Sequence, residues 1–230
     1  MIGKHVLALS FLAVPLASGI GSAQQARPSF DCARAKLDVE KDICASPELS
    51  QIDADIATAY AAAQRSLDAG GKAALAASQK EFIATRNLGK VATTFDLKDH
   101  LQRRRDLLRA LRPSKGQWAG SWGIDNGAMV LTMRDDGLYD VKARTDHPSG
   151  ACDFEHGGKL AGNVMTTVPR SKEEQADDPH DGWTLTLTRA GDSLKLKTRR
   201  GSDETMPNPF CGVHGSLDGT WFPMQAKPEK

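Results

Sequence analysis

The hydrophobic period of this chain changes once, at Arg112-Pro113-Ser114-Lys115-Gly116, and the change divides what its two halves can become. Before that point apolar residues recur every three or four positions, and after it they alternate with polar ones. In the first half, Ser46-Pro47-Glu48 offers a cap, a proline for the first helical position and an acid for the first turn. Leu49, Ile52, Ile56, Tyr60, Ala63 and Leu67 then mark one face of a long helix, which Gly70-Gly71 is expected to stop. Asp38 is placed to cap a shorter helix ahead of it. A second long helix is predicted from about Lys72, with Leu75, Phe82 and Ile83 turned inward. A third follows Asp96, presents Leu97, Leu101, Leu108 and Leu111, and ends at Pro113.

Beyond the linker, segments 118–122, 128–133, 138–144, 159–165, 183–189 and 193–198 read as short strands. Arg134-Asp135-Asp136-Gly137 and Ala190-Gly191-Asp192 supply turns. The predicted fold class is α+β, a small N-terminal helical bundle followed by an antiparallel β-barrel or β-sandwich. The division is residues 1–23 as a signal peptide, 28–112 as the helical domain, 113–116 as linker and 117–224 as the β-rich domain.

The signal peptide follows from a basic start at Lys4, an apolar run from Val6 to Ile20 and the small-residue ending Gly21-Ser22-Ala23. Pro15 and Gly19 interrupt the run, which falls short of the roughly 20 residues of a membrane span. Export to the periplasm or beyond is expected, without a membrane span. Lys4 is the only Lys or Arg in the leader, so the remainder carries equal numbers of basic and acidic residues. That balance argues against bulk-charge binding to nucleic acid or anionic lipid.

The four cysteines, Cys32, Cys44, Cys152 and Cys211, meet oxidising conditions in an exported protein and admit three pairings. Pairing Cys32 with Cys44 and Cys152 with Cys211 keeps each bridge within one half. No C-x-x-C spacing supports redox catalysis.

Charge also divides the helical half, since residues 31–68 carry eight acids against four bases and 72–112 carry ten bases against four acids. Complementary flanks of antiparallel helices account for this, and so does an acidic surface for a basic partner. Arg103-Arg104-Arg105 reads as a solvated helix face. No nucleophile elbow, zinc-protease or phosphate-loop motif occurs, so no catalytic residue, cofactor or metal is assigned and an enzyme is not expected. Asp177-Asp178-Pro179-His180-Asp181 is the cluster nearest to a cation site, and it lacks calcium-loop or zinc spacing. His147, His156 and His214 share the β-rich half. Its four tryptophans, Trp118, Trp122, Trp183 and Trp221, are expected mainly in a core, with a ligand-lined barrel mouth as the other reading.

One set of residues carries a family resemblance: Phe30-Asp31-Cys32-Ala33, Val39-Glu40-Lys41-Asp42-Ile43-Cys44-Ala45, Pro47-Glu48-Leu49, Asp53, Tyr60, and Gln79-Lys80-Glu81-Phe82-Ile83-Ala84-Thr85-Arg86-Asn87. It resembles the N-terminal domain family named after LprI, an envelope-associated lysozyme inhibitor of mycobacteria. The chain departs from that pattern at Phe82, where Trp is common, and at Leu88-Gly89, where Cys often follows. The resemblance implies a helical domain that binds a lysozyme or another envelope protein, inhibiting a muramidase by steric occlusion. Glu48, Asp53 and Asp55 on the acidic helix are then the candidate partner-binding residues, since animal-type lysozymes are basic. The alternative is a small-ligand carrier built on the β-rich domain.

Overall fold

The computed structural model describes residues 26–89, 95–146, 150–168, 183–199 and 208–225. The signal peptide expected at 1–23, the Asp177–Asp181 cluster and His147 lie outside them. Among the described residues four α-helices precede eight antiparallel strands, and the strands close into a barrel in sequence order, which resolves the choice between barrel and sandwich.

A 3-10 turn, Cys32–Arg34, leads into α1 (Asp38–Ala45), and the Cys32–Cys44 disulfide ties the two together. Asp38 is itself the first helical residue and not the cap. The carboxylate of Glu40 reaches back instead to accept from the backbone N–H groups of Lys36 and Leu37. In α2 (Pro47–Ser66) the Ser46 hydroxyl caps the Leu49 N–H, and Ile52, Ile56 and Ala63 are buried.

Gly70-Gly71 does not stop α2, which ends at Ser66. Asp68 caps α3 (Ala69–Leu88) through the Gly71 N–H, so both glycines lie in the first turn of that helix. Their smallness serves packing. A Cβ on Gly70 would stand 2.6 Å from the Ala190 carbonyl oxygen, and one on Gly71 would stand 2.8 Å from the Asp192 Cβ. Leu75 and Phe82 face the core, whereas Ile83 is exposed and Arg86 takes an inward position. Asp96 caps α4 (Leu97–Ala110), which buries Leu101, Leu107 and Leu108.

The strands are β1 (Gly120–Ile124), β2 (Gly127–Met133), β3 (Tyr139–Thr145), β4 (Cys152–Ala161), β5 (Val164–Val168), β6 (Thr184–Arg189), β7 (Leu194–Arg199) and β8 (Gly219–Met224). The segment expected as one strand over 159–165 is a hairpin. Gly162, at φ 63°, turns the chain between Ala161 and Val164. Alternate residues fill the interior, among them Trp122, Met129, Leu131, Val141, Phe154, Met165, Leu187, Leu196 and Trp221. Two buried indoles satisfy their N–H locally, Trp122 on the Trp118 carbonyl and Trp221 on the Leu217 carbonyl. The Cys152–Cys211 disulfide fastens the start of β4 to the segment before β8.

Helices and barrel interlock at three places. β8 is buried on both faces, with Trp221 in the barrel core and Phe222 in the helical core. Around it the Arg112 N–H donates to the Pro223 carbonyl and the Gln225 N–H to the Ala110 carbonyl. At the second place the turn between β6 and β7 meets the start of α3. The Asp192 carboxylate accepts from the Asp68 N–H (3.0 Å), the Ser114 N–H (2.8 Å) and the Ser114 hydroxyl (2.6 Å), while Asp68 accepts from the Asp192 N–H. At the third, Arg104 reaches Asp125 in the turn between β1 and β2 at 3.3 Å.

Candidate functional site

The three acids singled out on α2 have different fates. Helical spacing places Asp53 beside Ile52 on the inner side, where it is 4% exposed. Its carboxylate accepts from both the backbone N–H (2.7 Å) and the hydroxyl (2.6 Å) of Ser29 and pairs with the buried Arg86 at 3.6 Å. Asp53 is therefore an internal tether for the N-terminal segment, and the exposure that a docking role requires is absent there. Asp55 lies nearer the surface, bonded to Gln51 and to Arg109 at 2.8 Å. Glu48 pairs with Lys98 at 2.7 Å and keeps over half of its side-chain surface exposed. All three acids thus meet bases from the basic half of the bundle, as complementary helix flanks would.

Glu48 and Lys98 stand beside an open groove of about 680 Å3, lined by Asp42, Ala45, Ser46, Leu49, Phe95, Asp96, Leu97 and Lys98. Three helix ends build it: the last turn of α1 and the first turns of α2 and α4. The sequence marks each end separately through Ser46, Pro47 and Asp96, but nothing local says that the three ends meet. Leu49, Leu97 and Phe95 are half-buried and give it an apolar floor, and Asp42 and Asp96 place carboxylates on its rim. Part of this acidity serves the helices themselves, because Asp96 caps α4 and Glu48 lies in the first turn of α2. Its charged lining is thus the carboxylates of Asp42 and Asp96 together with the ammonium of Lys98, which Glu48 pairs.

Arg103-Arg104-Arg105 is not uniformly solvated. Arg104 follows Leu101 by three residues and precedes Leu108 by four, which puts it on the inner face, fully buried. There it donates to Gln79 (2.8 Å) and Ser78 (3.0 Å), lies over the Phe82 ring and reaches Asp125. This satisfied buried cation joins α3, α4 and the barrel.

In the barrel, the interior that a carried ligand would occupy is filled by the side chains named above, as fits a barrel of eight strands. Trp118, Trp122 and Trp221 are buried and Trp183 is half-buried against the same core. His156 is half-buried against Phe154 and Phe210, while His214 is exposed. Among the described residues no three His, Cys, Asp or Glu side chains are grouped to hold a metal ion. No helix among them is long and apolar enough to cross a membrane.

Comparison with known proteins gives one match. Residues 32–120 fit the family model described as "Lysozyme inhibitor LprI". The matched stretch holds all four helices, the whole groove and the Cys32–Cys44 disulfide, and it ends where β1 begins. No curated protein and no solved structure matches the chain.

Proposed function

We propose that this chain is an exported binding protein whose helical domain docks on a lysozyme-type muramidase and inhibits it by steric occlusion. The observation that carries the reading is the coincidence of the matched stretch, 32–120, with the groove built from three helix ends. A basic side chain of the partner lays its stem on Leu49, Leu97 and Phe95 and its charge beside Asp42 and Asp96. Muramidases of this kind cleave with two carboxylates flanking the glycosidic bond, so a protein seated across that cleft stops the reaction without chemistry of its own. The Cys32–Cys44 bridge fixes α1 at the groove edge, which lowers the entropy lost on docking. Two disulfides fit an extracytoplasmic protein. Cleavage after Ala23 and release into the periplasm or medium belong to the same proposal.

The test measures association with a basic animal-type lysozyme across a salt series, beside lysis of cell-wall substrate. Glu48→Gln combined with Asp96→Asn retains a capping side chain at position 96. The double variant is expected to associate several-fold more slowly at low salt and to converge with wild type as salt rises. Absence of binding by wild type, or identical rates across the series, overturns the reading.

A further inference from the structure

The barrel has two outer sectors with opposite charge habits. Across β2 to β4 the cations are paired: Arg134 with Asp136 and Asp140, Lys142 with Glu155, and Arg144 with Asp146. Across β4 to β7 most are not. Lys159, Lys195 and Arg199 are exposed and have no carboxylate in ion-pair range among the described residues, and Lys197 has Asp218 alone, at 3.0 Å. Lys195, Lys197 and Arg199 stand on the outer side of one strand, about 7 Å apart, since alternate residues of a strand share a face. Like charges set so closely in line repel one another.

Between these cations the face is hydroxylated. The register makes Lys159, Thr166, Thr186 and Lys197 one continuous row across four strands, and the next row carries Val164, Thr188 and Lys195. With strands about 4.8 Å apart, the first row spans about 14 Å from ammonium-bearing end to end. The helices cover β8 through Phe222, and among the described residues no element packs over the Thr–Lys face.

We infer that the outer face of β4 to β7 binds a linear phosphodiester polymer with polyol units between its phosphates. The lysines of β7 and Lys159 meet phosphates as point charges, Arg199 meets one through its guanidinium fork, and the threonine hydroxyls between them bond the polyol. Around the Lys159 end of this face the outward positions of β5 to β7 are Thr, Val, Lys and Arg, while the acids of β4, Asp153 and Glu155, lie toward the opposite end of that strand; no outward position is aromatic to stack a base, which disfavours single-stranded nucleic acid. This site is independent of the helical groove and would hold the protein on a polyanionic matrix while the groove faces its partner.

The test is binding of the full mature chain to a synthetic glycerol-phosphate oligomer, with an oligonucleotide of equal charge for comparison. Wild type is expected to bind at low ionic strength, with affinity falling steeply as salt rises. Lys195→Gln, Lys197→Gln and Arg199→Gln together should weaken binding at least about tenfold and reduce the log–log salt slope by about two to three. Lys142→Gln with Arg144→Gln, on the paired sector, should leave it unchanged. Lys159→Gln and Arg199→Gln, made singly, break no ion pair among the described residues and carry the test if the triple variant loses its native circular dichroism. Each is expected to lower the salt slope by about one. No binding by wild type, equal loss in the β3 control, unchanged slopes in the single variants, or tighter binding of the oligonucleotide overturns the assignment.

Discussion

Asp192 offers the sharpest test of whether helices and barrel form one cooperative body. The residue is 4% exposed, and its carboxylate takes three donors: the Asp68 N–H, the Ser114 N–H and the Ser114 hydroxyl. Asp192→Ala strands all three. Each charge-assisted bond contributes about 1.5–3 kcal/mol net, and because the donors share one acceptor their losses do not add in full. A total of about 3–4 kcal/mol follows, which in a domain of this size lowers Tm by about 10 °C. Asp192→Asn can still accept from Ser114 but turns an amide N–H2 toward the Asp68 N–H, so about 1–2 kcal/mol is expected.

The same carboxylate gives a pH signature. Burial pushes its pKa up, but hydrogen bonds from Ser114 and Asp68, with Arg189 nearby, outweigh burial and hold it below the ordinary carboxylate value. A depressed pKa contributes stability that is complete above the unfolded value and lost as pH falls through the folded one. Wild type should therefore lose stability below about pH 4 more steeply than Asp192→Asn does. All four tryptophans lie in the barrel half, so fluorescence reports the barrel while the far-UV helical signal reports the bundle. The two melting curves of Asp192→Ala are expected to shift together. An unchanged Tm, or a shift of one signal that leaves the other in place, refutes the joint as described.

Gly70→Ala should destabilise by about 1–3 kcal/mol even though alanine is the better helix former by about 1 kcal/mol, because the new methyl meets the Ala190 carbonyl at 2.6 Å; a rise in Tm would contradict that packing. His100 stacks on Phe82 at 4.7 Å, and its Nε2 is buried without a hydrogen-bond partner among the described residues. Burial lowers its pKa, with Arg104 and Arg86 adding to the effect and Asp125 opposing it. Stability tied to neutral His100 is complete above the ordinary histidine value and falls as pH drops from there, so His100→Phe should flatten the Tm profile between about pH 6.5 and 5. An identical slope in the variant would refute the assignment.

The helical half was legible because its signals are local. Ile52, Ile56 and Leu101, Leu108 repeat at the helical period, and Ser46 and Asp96 cap where capping residues are expected. The errors came from residues whose reason lies elsewhere in the chain. Gly70-Gly71 has the composition of a helix stop, but the constraint on it comes from Ala190 and Asp192, over a hundred residues away. Gly162 and Asn163 form the turn within 159–165, where the inward positions change from even numbers in β4 (Phe154, Leu160) to odd ones in β5 (Met165, Thr167), a shift too short to see in a seven-residue run. β8 was passed over because Trp221-Phe222-Pro223 is apolar without alternation. That is the pattern of a strand covered on both sides, and its second cover is the helical bundle.

The candidate site was less legible because the sequence reading assumed that charge on an amphipathic helix belongs outside. Spacing argues otherwise at three positions. Asp53 precedes Ile56 by three residues, Arg86 follows Phe82 by four, and Arg104 lies between Leu101 and Leu108, so each occupies a core register. A charge forced inward must find a partner, since an uncompensated one costs several kcal/mol. The chain supplies one in every case: Asp53 with Arg86, and Arg104 with Asp125. Core-register charges of opposite sign on successive helices therefore mark mutual burial, and they remove those residues from any list of docking candidates. The same argument leaves Glu48 outside, because the Pro47–Glu48 start of α2 lies one turn before the buried run that opens with Ser50 and Ile52. Its partner Lys98 sits in the matching first turn of α4, and the two bring their helix ends together at the groove. The acidic segment thus divides by register into a buried part, Asp53, and a part nearer the surface, Glu48 and Asp55.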